Sequence, residues 1–422
     1  MVGARLRKVF AAAVILSAIA VSPALPQGLS IQSILTQGSG QSLASFNRFK
    51  RDLWPDAAKR GISRRLFNQA FEGLQPDQEI LKSAVHQAEF VKPIWQYLAS
   101  AVSDRRQANG KQKLIELADT IATIEARYGV SRYVVVAIWG MESAYGEIFK
   151  NRDRVKPVIR SLATLAHFGG RRRKFGRTQL LAALEILQNG DVALADMYGS
   201  WAGAMGHTQF IPTTYLAYAA DFDGDGRSDI WNSIPDALAS TANYLKKAGW
   251  KTGETWGYEV ELPGGFNYEL AGRHKRRSLK KWQNLGVRRS LGRAFPRPGD
   301  IAQLVIPAGA SGPAFLMLKN FSVIKRYNNS DAYALAVGHL ADRLAGFGPF
   351  SRMWPVEEMP LLKTEMREIQ SLLIKKGYRI GRVDGRFGPK SKAALRAFQR
   401  SRGLVPDWFA TKKLLSTLRN AT

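Results

Sequence analysis

Much of this sequence spaces its apolar residues three and four positions apart, which is the pattern of helices with one buried face. The pattern runs from Ser45 to Tyr128, and it predicts later helices over 132–143, 178–189 and 236–248. Glycine directly follows three of these segments, at positions 129, 190 and 249. Glycine ends helices readily because it adopts a left-handed backbone without strain. The sequence therefore predicts a mainly α protein.

The helical spacing fades between residues 251 and 325, where glycine, proline and basic residues become frequent. The apolar runs Gln303–Ile306 and Ala314–Leu318 have the length of strands, and residues 331–345 return to a helical pattern. We therefore predict one large domain over 45–350, with a helical N-terminal part and a small β-containing insertion.

A short Pro-flanked linker over 351–362 precedes a small C-terminal domain, which we place at 363–420. Its three predicted helices cover 363–376, 391–402 and 410–419. A chain of 422 residues with 45% hydrophobic residues is long enough for two or three domains with sizeable cores.

The N-terminus has the organisation of an export signal. Basic residues precede the apolar run Val9–Ala20, and small residues follow at a plausible cleavage position. An uncleaved anchor is the alternative, but about 20 apolar residues are needed to span a bilayer. We predict a signal peptide over 1–24, a polar linker over 25–44, and no transmembrane anchor after signal removal.

The charge balance limits the classes of partner. Lys and Arg number 62 against 34 Asp and Glu, so the formal net charge is +28. Such a charge favours nucleic acid or an anionic surface, and the export signal argues against nucleic acid. The chain has no cysteine, which excludes disulfides, cysteine nucleophiles and lipid anchors on cysteine. We expect an exported, periplasmic protein of a Gram-negative envelope.

One predicted helix carries a carboxylate among apolar residues. Val135, Ile138, Trp139 and Glu142 fall at i, i+3, i+4 and i+7 and therefore share one helix face. Burial and the negative end of the helix dipole both favour a protonated carboxyl, as a general acid requires. A solvated Glu at a frayed helix end is the alternative. Glu147 would point about 140° away, so the local sequence supplies no obvious pair of carboxylates.

A segment of alternating aspartates matches the opening of a calcium loop, with carboxylates at positions 1, 3 and 5 and glycine at position 6. Position 12 is Asn232 instead of the usual Glu. An Asp/Gly turn without an ion is the alternative, but clustered carboxylates repel unless they are neutralised, which favours Ca2+. The candidate ligands are Asp221, Asp223, Asp225, Asp229 and Asp236. No organic cofactor is expected.

Several blocks of the sequence match one known family in order. They are Ala137–Gly146, Gly199–Pro212, Asp221–Trp231, Ala242–Trp250 and Arg326–Val337. On these blocks the chain resembles the lytic murein transglycosylase B family in its soluble, non-lipidated form. The segment Leu372–Phe398 resembles part of a three-helix peptidoglycan-binding domain.

The resemblance implies a lysozyme-like α+β catalytic domain with a groove for the glycan strands of peptidoglycan. It implies cleavage of the β-1,4 bond between N-acetylmuramic acid and N-acetylglucosamine, without water, to leave a 1,6-anhydro-muramyl end. Glu142 matches the single acid of the family, which would donate a proton and later accept one with help from the acetamido group of the substrate. We expect the protein to act as a monomer.

The resemblance also implies a set of substrate-binding residues: Ser200, Gln209, Tyr244, Tyr327, Asn328 and Tyr333. Ordinary core packing is the alternative for the three tyrosines. His207 and Thr208 depart from the Gln-Pro that is more usual before Gln209, and Trp408 could either contact sugar or be packed. A hydrolase of the same fold and an inactive wall-binding protein remain alternatives.

Overall fold

The computed structural model describes residues 39–85, 92–272 and 274–421. The predicted signal peptide and most of the predicted 25–44 linker lie outside the described residues. A helix already begins at Ser39, so the linker ends earlier than predicted. In the described ranges no helix is long and apolar enough to cross a membrane.

The α-helices follow one another along most of the described chain. In order they are α1 (Ser39–Ala58), α2 (Arg64–Phe71), α3 (Gln78–Val85), α4 (Ile94–Ala101), α5 (Asp104–Glu116), α6 (Ala118–Tyr128), α7 (Arg132–Ser143), α8 (Val158–Phe168), α9 (Arg173–Asn189), α10 (Pro212–Tyr218), α11 (Ile234–Lys247), α12 (Leu279–Asn284), α13 (Lys319–Tyr327), α14 (Asp331–Leu344), α15 (Lys363–Lys375), α16 (Pro389–Ser401) and α17 (Lys412–Asn420). The strands are β1 (Lys156–Pro157), β2 (Tyr198–Gly199), β3 (Gly257–Glu261), β4 (Arg276–Ser278), β5 (Arg288–Arg289), β6 (Ile301–Val305) and β7 (Ala314–Met317).

The described chain forms two compact units. The first contains residues 39–85, 108–250 and 325–330, and the second contains 92–107, 251–272, 274–324 and 331–421. This division differs from the predicted single domain over 45–350, because residues 251–324 group with the C-terminal helices.

The first unit is built on packed helices. Helices α8 and α9 lie along each other, α10 packs on α9, and α11 packs on both α6 and α7. Gly176 allows the closest approach within the α8–α9 pair, since a Cβ there would lie 2.5 Å from the backbone nitrogen of Ala166. Their apolar side chains, including Leu162, Leu180 and Leu184, are fully buried.

Helix α7 has the bounds that the sequence predicts. Ser131, which directly precedes the helix, makes no side-chain capping hydrogen bond, and the Glu125 carboxylate instead accepts a bond from the Arg132 N–H at 2.9 Å. Burial also extends beyond the predicted face, because every residue from Val134 to Gly140 is buried. A carboxylate near the end of such a helix is therefore enclosed from more than one side.

The second unit contains a five-stranded antiparallel sheet in the order β4-β6-β7-β3-β5. Side chains alternate between its two faces. Leu304 and Leu316 lie on one face and pack in a core with Trp282, which is fully buried. The predicted strands at 303–306 and 314–318 correspond to β6 and β7, with shifts of one or two residues at their ends.

Helices α15, α16 and α17 of the second unit surround a small core that includes Leu373, Leu395 and Phe398. Trp408 packs against this core and also against the core beneath the sheet. The Asp407 carboxylate accepts a hydrogen bond at 2.8 Å from the Ala310 N–H. Trp408 is half-buried, and its contacts, with the Asp407 bond, link the sheet to the C-terminal helices.

Candidate active site

Glu142 lies in the last turn of α7, and its side chain is only 8% exposed. Three residues in the left-handed backbone region follow the helix: Ala144 (φ 50°), Tyr145 (φ 60°) and Gly146 (φ 88°). The turn folds the Tyr145 ring back against the edge of Trp139, with 5.4 Å between centroids. Left-handed non-glycine residues cost roughly 1–2 kcal/mol each, and such strain is concentrated at functional sites.

His207 holds the end of this helix in place. The Trp139 indole N–H donates to His207 Nδ1 at 3.0 Å, and Ser143 Oγ donates to the His207 carbonyl at 2.9 Å. Gly146 must be a glycine here, because a Cβ would lie 2.4 Å from the His207 ring. The backbone turn after Glu142 therefore packs closely against the His207 imidazole.

The protonation state of His207 follows from its surroundings. Burial lowers the pKa of His207 to about 4, although the charge of Asp229 and a hydrogen bond with the Trp231 backbone oppose the change. The ring is neutral at neutral pH, with Nδ1 as acceptor and the proton on Nε2. The same ring thus contacts α7 and the loop that contains Asp229.

Two predicted substrate-binding residues, Ser200 and Gln209, lie in the segment around His207. Gln209 is 4% exposed, has a left-handed backbone (φ 52°) and donates from Nε2 to the Gly206 carbonyl at 3.0 Å. Ser200 Oγ accepts from the N–H groups of Ala202 and Ala204, at 3.3 and 3.1 Å. These two bonds occupy its lone pairs, so the Ser200 hydroxyl keeps its hydrogen for donation.

An aromatic cluster lies beneath this segment. Phe210, Tyr244 and Tyr327 have ring centroids 5.1 to 5.8 Å apart. The Tyr327 hydroxyl donates to the Thr208 carbonyl at 2.6 Å. Burial, followed by the negative charge of Glu142, raises the pKa of Tyr327 well above its ordinary value. Tyr327 is therefore a neutral donor in the electrostatic field of Glu142.

The predicted substrate tyrosines are buried. Tyr244 is 5% exposed and Tyr327 is 0% exposed, so neither ring presents a face on which a sugar could stack. Asn328 is also buried in the first unit. Tyr333 belongs to the second unit, in the first turn of α14, and its side chain is buried. The first unit therefore brings together Glu142, Gln209 and Tyr327, and the tyrosines there act through packing and hydrogen bonds.

The acidic loop gathers three of its five predicted ligands. Asp221, Asp223 and Asp236 each place a carboxylate oxygen within 4.8 Å of the other two. Asp225 and Asp229 are not in this group, so their role as ligands stays a prediction. Their carboxylates instead accept backbone N–H bonds, from Arg227 at 2.8 Å and from Trp231 at 2.9 Å, and so shape the turn.

The surroundings of Asp236 indicate whether the three carboxylates could hold a cation. It is 0% exposed, and its two oxygens accept the N–H groups of Phe222 and Asp229 at 2.8 and 2.9 Å. Burial raises the pKa of Asp236 despite these donors, and the charges of Asp223 and Asp221 raise it further. Three hard oxygen ligands that repel one another suit Ca2+, which would neutralise them.

Sequence reasoning missed the residues that position Glu142. Trp139 was identified only as an apolar neighbour, and His207 only as a departure from a family pattern. Their bond joins residues 68 positions apart, and the Ser143 bond spans 64 positions. No periodic pattern carries such long-range information.

Comparison with known proteins identifies the family. The model of the Transglycosylase SLT domain matches residues 45–342, and that of a peptidoglycan binding domain matches residues 363–418. Membrane-bound lytic murein transglycosylase B of Escherichia coli (strain K12) is 32% identical over 225 residues, which are 52% of this chain and 58% of that protein. The chain thus matches less than two thirds of the length of this curated relative.

Solved structures extend the match. SltB3 from Pseudomonas aeruginosa, in complex with NAG-anhNAM-pentapeptide, is 48% identical, with a TM-score of 0.85 over 89% of this chain and 99% of that chain. The Escherichia coli lytic transglycosylase Slt35 in complex with calcium is 26% identical, with a TM-score of 0.58 over 71% of this chain and 92% of that chain. Because the domain model covers more than half of the sequence, the chain belongs to the transglycosylase SLT domain family.

Proposed function

We propose that this protein is a lytic transglycosylase that cleaves the β-1,4 bond between N-acetylmuramic acid and N-acetylglucosamine in peptidoglycan. The observation that carries the proposal is Glu142, a carboxylate 8% exposed at the end of a buried helix. The SltB3 complex with NAG-anhNAM-pentapeptide supports the same substrate class and a 1,6-anhydro product.

In the first step, Glu142 acts as general acid. Its carboxyl proton moves to the glycosidic oxygen as the bond from that oxygen to C1 of the muramic acid breaks. The carbonyl oxygen of the neighbouring acetamido group bonds to C1 and gives a cyclic oxazolinium ion. The leaving sugar departs as an alcohol, and Glu142 is left as a carboxylate.

In the second step, the same carboxylate acts as general base. It accepts the proton of the C6 hydroxyl as that oxygen bonds to C1 and displaces the acetamido oxygen. The sugar closes to the 1,6-anhydro form, Glu142 is protonated again, and no water is consumed. One carboxylate suffices, because the substrate supplies the nucleophile.

Glu147 does not supply a second catalytic carboxylate in this proposal. It lies in the short 3-10 turn after the helix, and its carboxylate pairs at 2.7 Å with Lys150, whose side chain is 75% exposed. A partly exposed carboxylate with a lysine partner lacks the burial of Glu142. It therefore serves as a matched control for Glu142.

The surrounding residues have supporting roles in this proposal. Ser200, with its available hydroxyl hydrogen, and Gln209, next to the Tyr327 contact at Thr208, are proposed to bind the sugar, as is Asn328. Tyr333, which is buried in the second unit, stays a sequence-based prediction. Tyr327 holds the segment around Gln209 by its hydrogen bond to the Thr208 carbonyl. Tyr244 packs against Phe210 and Tyr327 and donates to the Arg326 carbonyl.

We also propose that Asp221, Asp223 and Asp236 hold Ca2+, which would supply positive charge to the loop and take no part in the reaction. The cluster of three converging carboxylates carries this step, and the calcium complex of Slt35 supports it. The proposed setting is the periplasm, and the proposed partner is the peptidoglycan glycan strand, bound by a monomer.

Digestion of purified peptidoglycan by the mature protein tests the function. Mass spectrometry should find muropeptides with 1,6-anhydro ends, each lighter by one water molecule than a reducing end. Glu142→Gln should lower the rate at least about a hundredfold, the usual contribution of a general acid-base group. Glu147→Gln should retain the rate.

The outcomes separate the alternatives. Reducing ends would show that water reaches C1 and that the protein is a hydrolase. Wall binding without cleavage by the wild type would indicate a binding protein, and an active Glu142→Gln variant would mean that another residue is the acid.

A further inference from the structure

A cavity of about 330 Å³ opens in the second unit, far along the chain from Glu142. It lies where strands β4, β6 and β7 meet the start of α13, and Gln303, Met317 and Lys319 line it. Its volume is at the lower end of the range for small-ligand sites, which suits two or three small residues of a peptide.

The Gln303 side chain projects from the sheet into this cavity. Its neighbours in β6, Ala302 and Leu304, belong to the apolar core on one face, so Gln303 lies on the other face. Arg276 and Met317 are its direct cross-strand partners and share that face. Gln303 is 6% exposed, and its Oε1 accepts no hydrogen bond from any described residue.

An unpaired buried acceptor of this kind destabilises the protein, by about 1–3 kcal/mol in comparable cases. It persists in folded proteins where a ligand, a water or a functional requirement satisfies it. In this cavity the missing group is an N–H or O–H donor.

Three cations surround the same space. Lys251, Arg276 and Lys319 line the cavity and are exposed at its mouth. Within the described residues their side chains form no ion pair or hydrogen bond. They are therefore available to an anion, and an Arg can bind a carboxylate through two N–H groups.

The two acidic residues of the cavity are already engaged. Arg297 contacts the Asp300 carboxylate at 2.9 Å and the Glu254 carboxylate at 3.7 Å. Glu254 also accepts the Asn320 N–H at 3.3 Å. Counting Lys251, Arg276 and Lys319 with these groups leaves the cavity positively charged.

We propose that this cavity binds the free carboxylate end of a peptide attached to the glycan. The last residue of a peptide carries both a carboxylate and a backbone amide N–H, which match the cations and the Gln303 acceptor. This inference rests on the proposed function for the presence of such peptides, and it adds a peptide site outside the first unit.

Calorimetric titration of the intact protein with the free pentapeptide named in the SltB3 ligand tests the site. We expect saturable binding that is lost with the C-terminal amide of the same peptide, with bare NAG-NAM, and with acetate. Arg276→Ala combined with Lys319→Ala should weaken peptide binding about tenfold or more, since charge-assisted hydrogen bonds are lost. Lys280→Ala with Arg288→Ala removes the same charge from exposed positions outside the cavity lining and should change the affinity little.

Gln303→Met gives an independent measurement, because it removes the acceptor with little change in volume. It should weaken peptide binding severalfold while the thermal midpoint stays or rises, which a purely structural role would not produce. Equal affinity for the acid and the amide would overturn the proposal, as would equal weakening by the two double variants.

The two proposals fail separately. Anhydro products that depend on Glu142, together with no peptide binding, would overturn only the peptide site. Peptide binding that Arg276 and Gln303 control, without cleavage of the glycan, would overturn only the transglycosylase function.

Discussion

His207 shows how one side chain can position another through its own hydrogen bonds. Its ring accepts a hydrogen bond from the Trp139 N–H at 3.0 Å, and its carbonyl accepts one from the Ser143 hydroxyl at 2.9 Å. The carbonyl of the next residue, Thr208, accepts a hydrogen bond from the Tyr327 hydroxyl at 2.6 Å. Glu142 lies between the two helix residues in sequence. We therefore expect the orientation of Glu142 to depend on His207.

At the residue scale, we predict that His207→Ala lowers the cleavage rate and the stability together. The variant leaves the Trp139 N–H without its acceptor, which costs about 1–3 kcal/mol, and opens a space beside Gly146. His207→Gln should restore much of both, because its amide can accept from Trp139 and donate with its NH2 group. Urea unfolding and the rate of anhydro-product release provide the measurement. An alanine variant with full activity would contradict the positioning role.

Among the secondary-structure elements, those with local signals were predicted best. The bounds of α7 were predicted to the residue, and α14 and α15 ended within one residue of prediction. The gathering of Asp236 with Asp221 and Asp223 was less certain from sequence, since it depends on how the loop meets the start of α11. Asp225 and Asp229 fit the spacing of ligands, but their carboxylates are not in the group of three. Spacing therefore identified the acidic element and could not select its ligands.

At the element scale, we predict that Ca2+ stabilises the acidic loop. Addition of Ca2+ should raise the thermal midpoint of the wild type, by the equivalent of about 2.7 kcal/mol at one hundred times the dissociation constant. Chelation should reverse the increase. Asp223→Asn should strongly weaken the Ca2+ response, because it replaces one of three converging carboxylates with a neutral amide oxygen.

Asp225→Asn is the matched control for this loop, since it changes an exposed aspartate outside the group of three. It should keep the Ca2+ response. Loss of the response in both variants would show that the loop charge as a whole, and not a three-carboxylate site, binds the ion.

At the scale of the whole molecule, buried titratable groups in both units have opposite effects on the free energy of unfolding as pH changes. Burial lowers the pKa of His207 and of His339 to about 4. Each histidine therefore contributes stability above its unfolded pKa near 6.5, and this contribution is lost as pH falls toward 4. Asp342 acts in the opposite direction, because burial raises its pKa to about 7.

Asp342 allows this opposition to be measured by one substitution. Its carboxyl is protonated in the folded protein at a pH where the unfolded chain has lost the proton, so its contribution is fully present below about pH 3.8 and is lost as pH rises through 7. Asp342→Asn removes the titration and keeps an oxygen acceptor for the Trp256 indole N–H, which lies 3.0 Å from the carboxylate. Between pH 4 and pH 7.5 the variant should gain on the order of 2–4 kcal/mol relative to the wild type. Urea unfolding of both proteins across this pH range gives the difference in their free energies of unfolding, and the histidine contributions cancel in that difference. A difference that does not change with pH would show that Asp342 stays ionised in the folded protein.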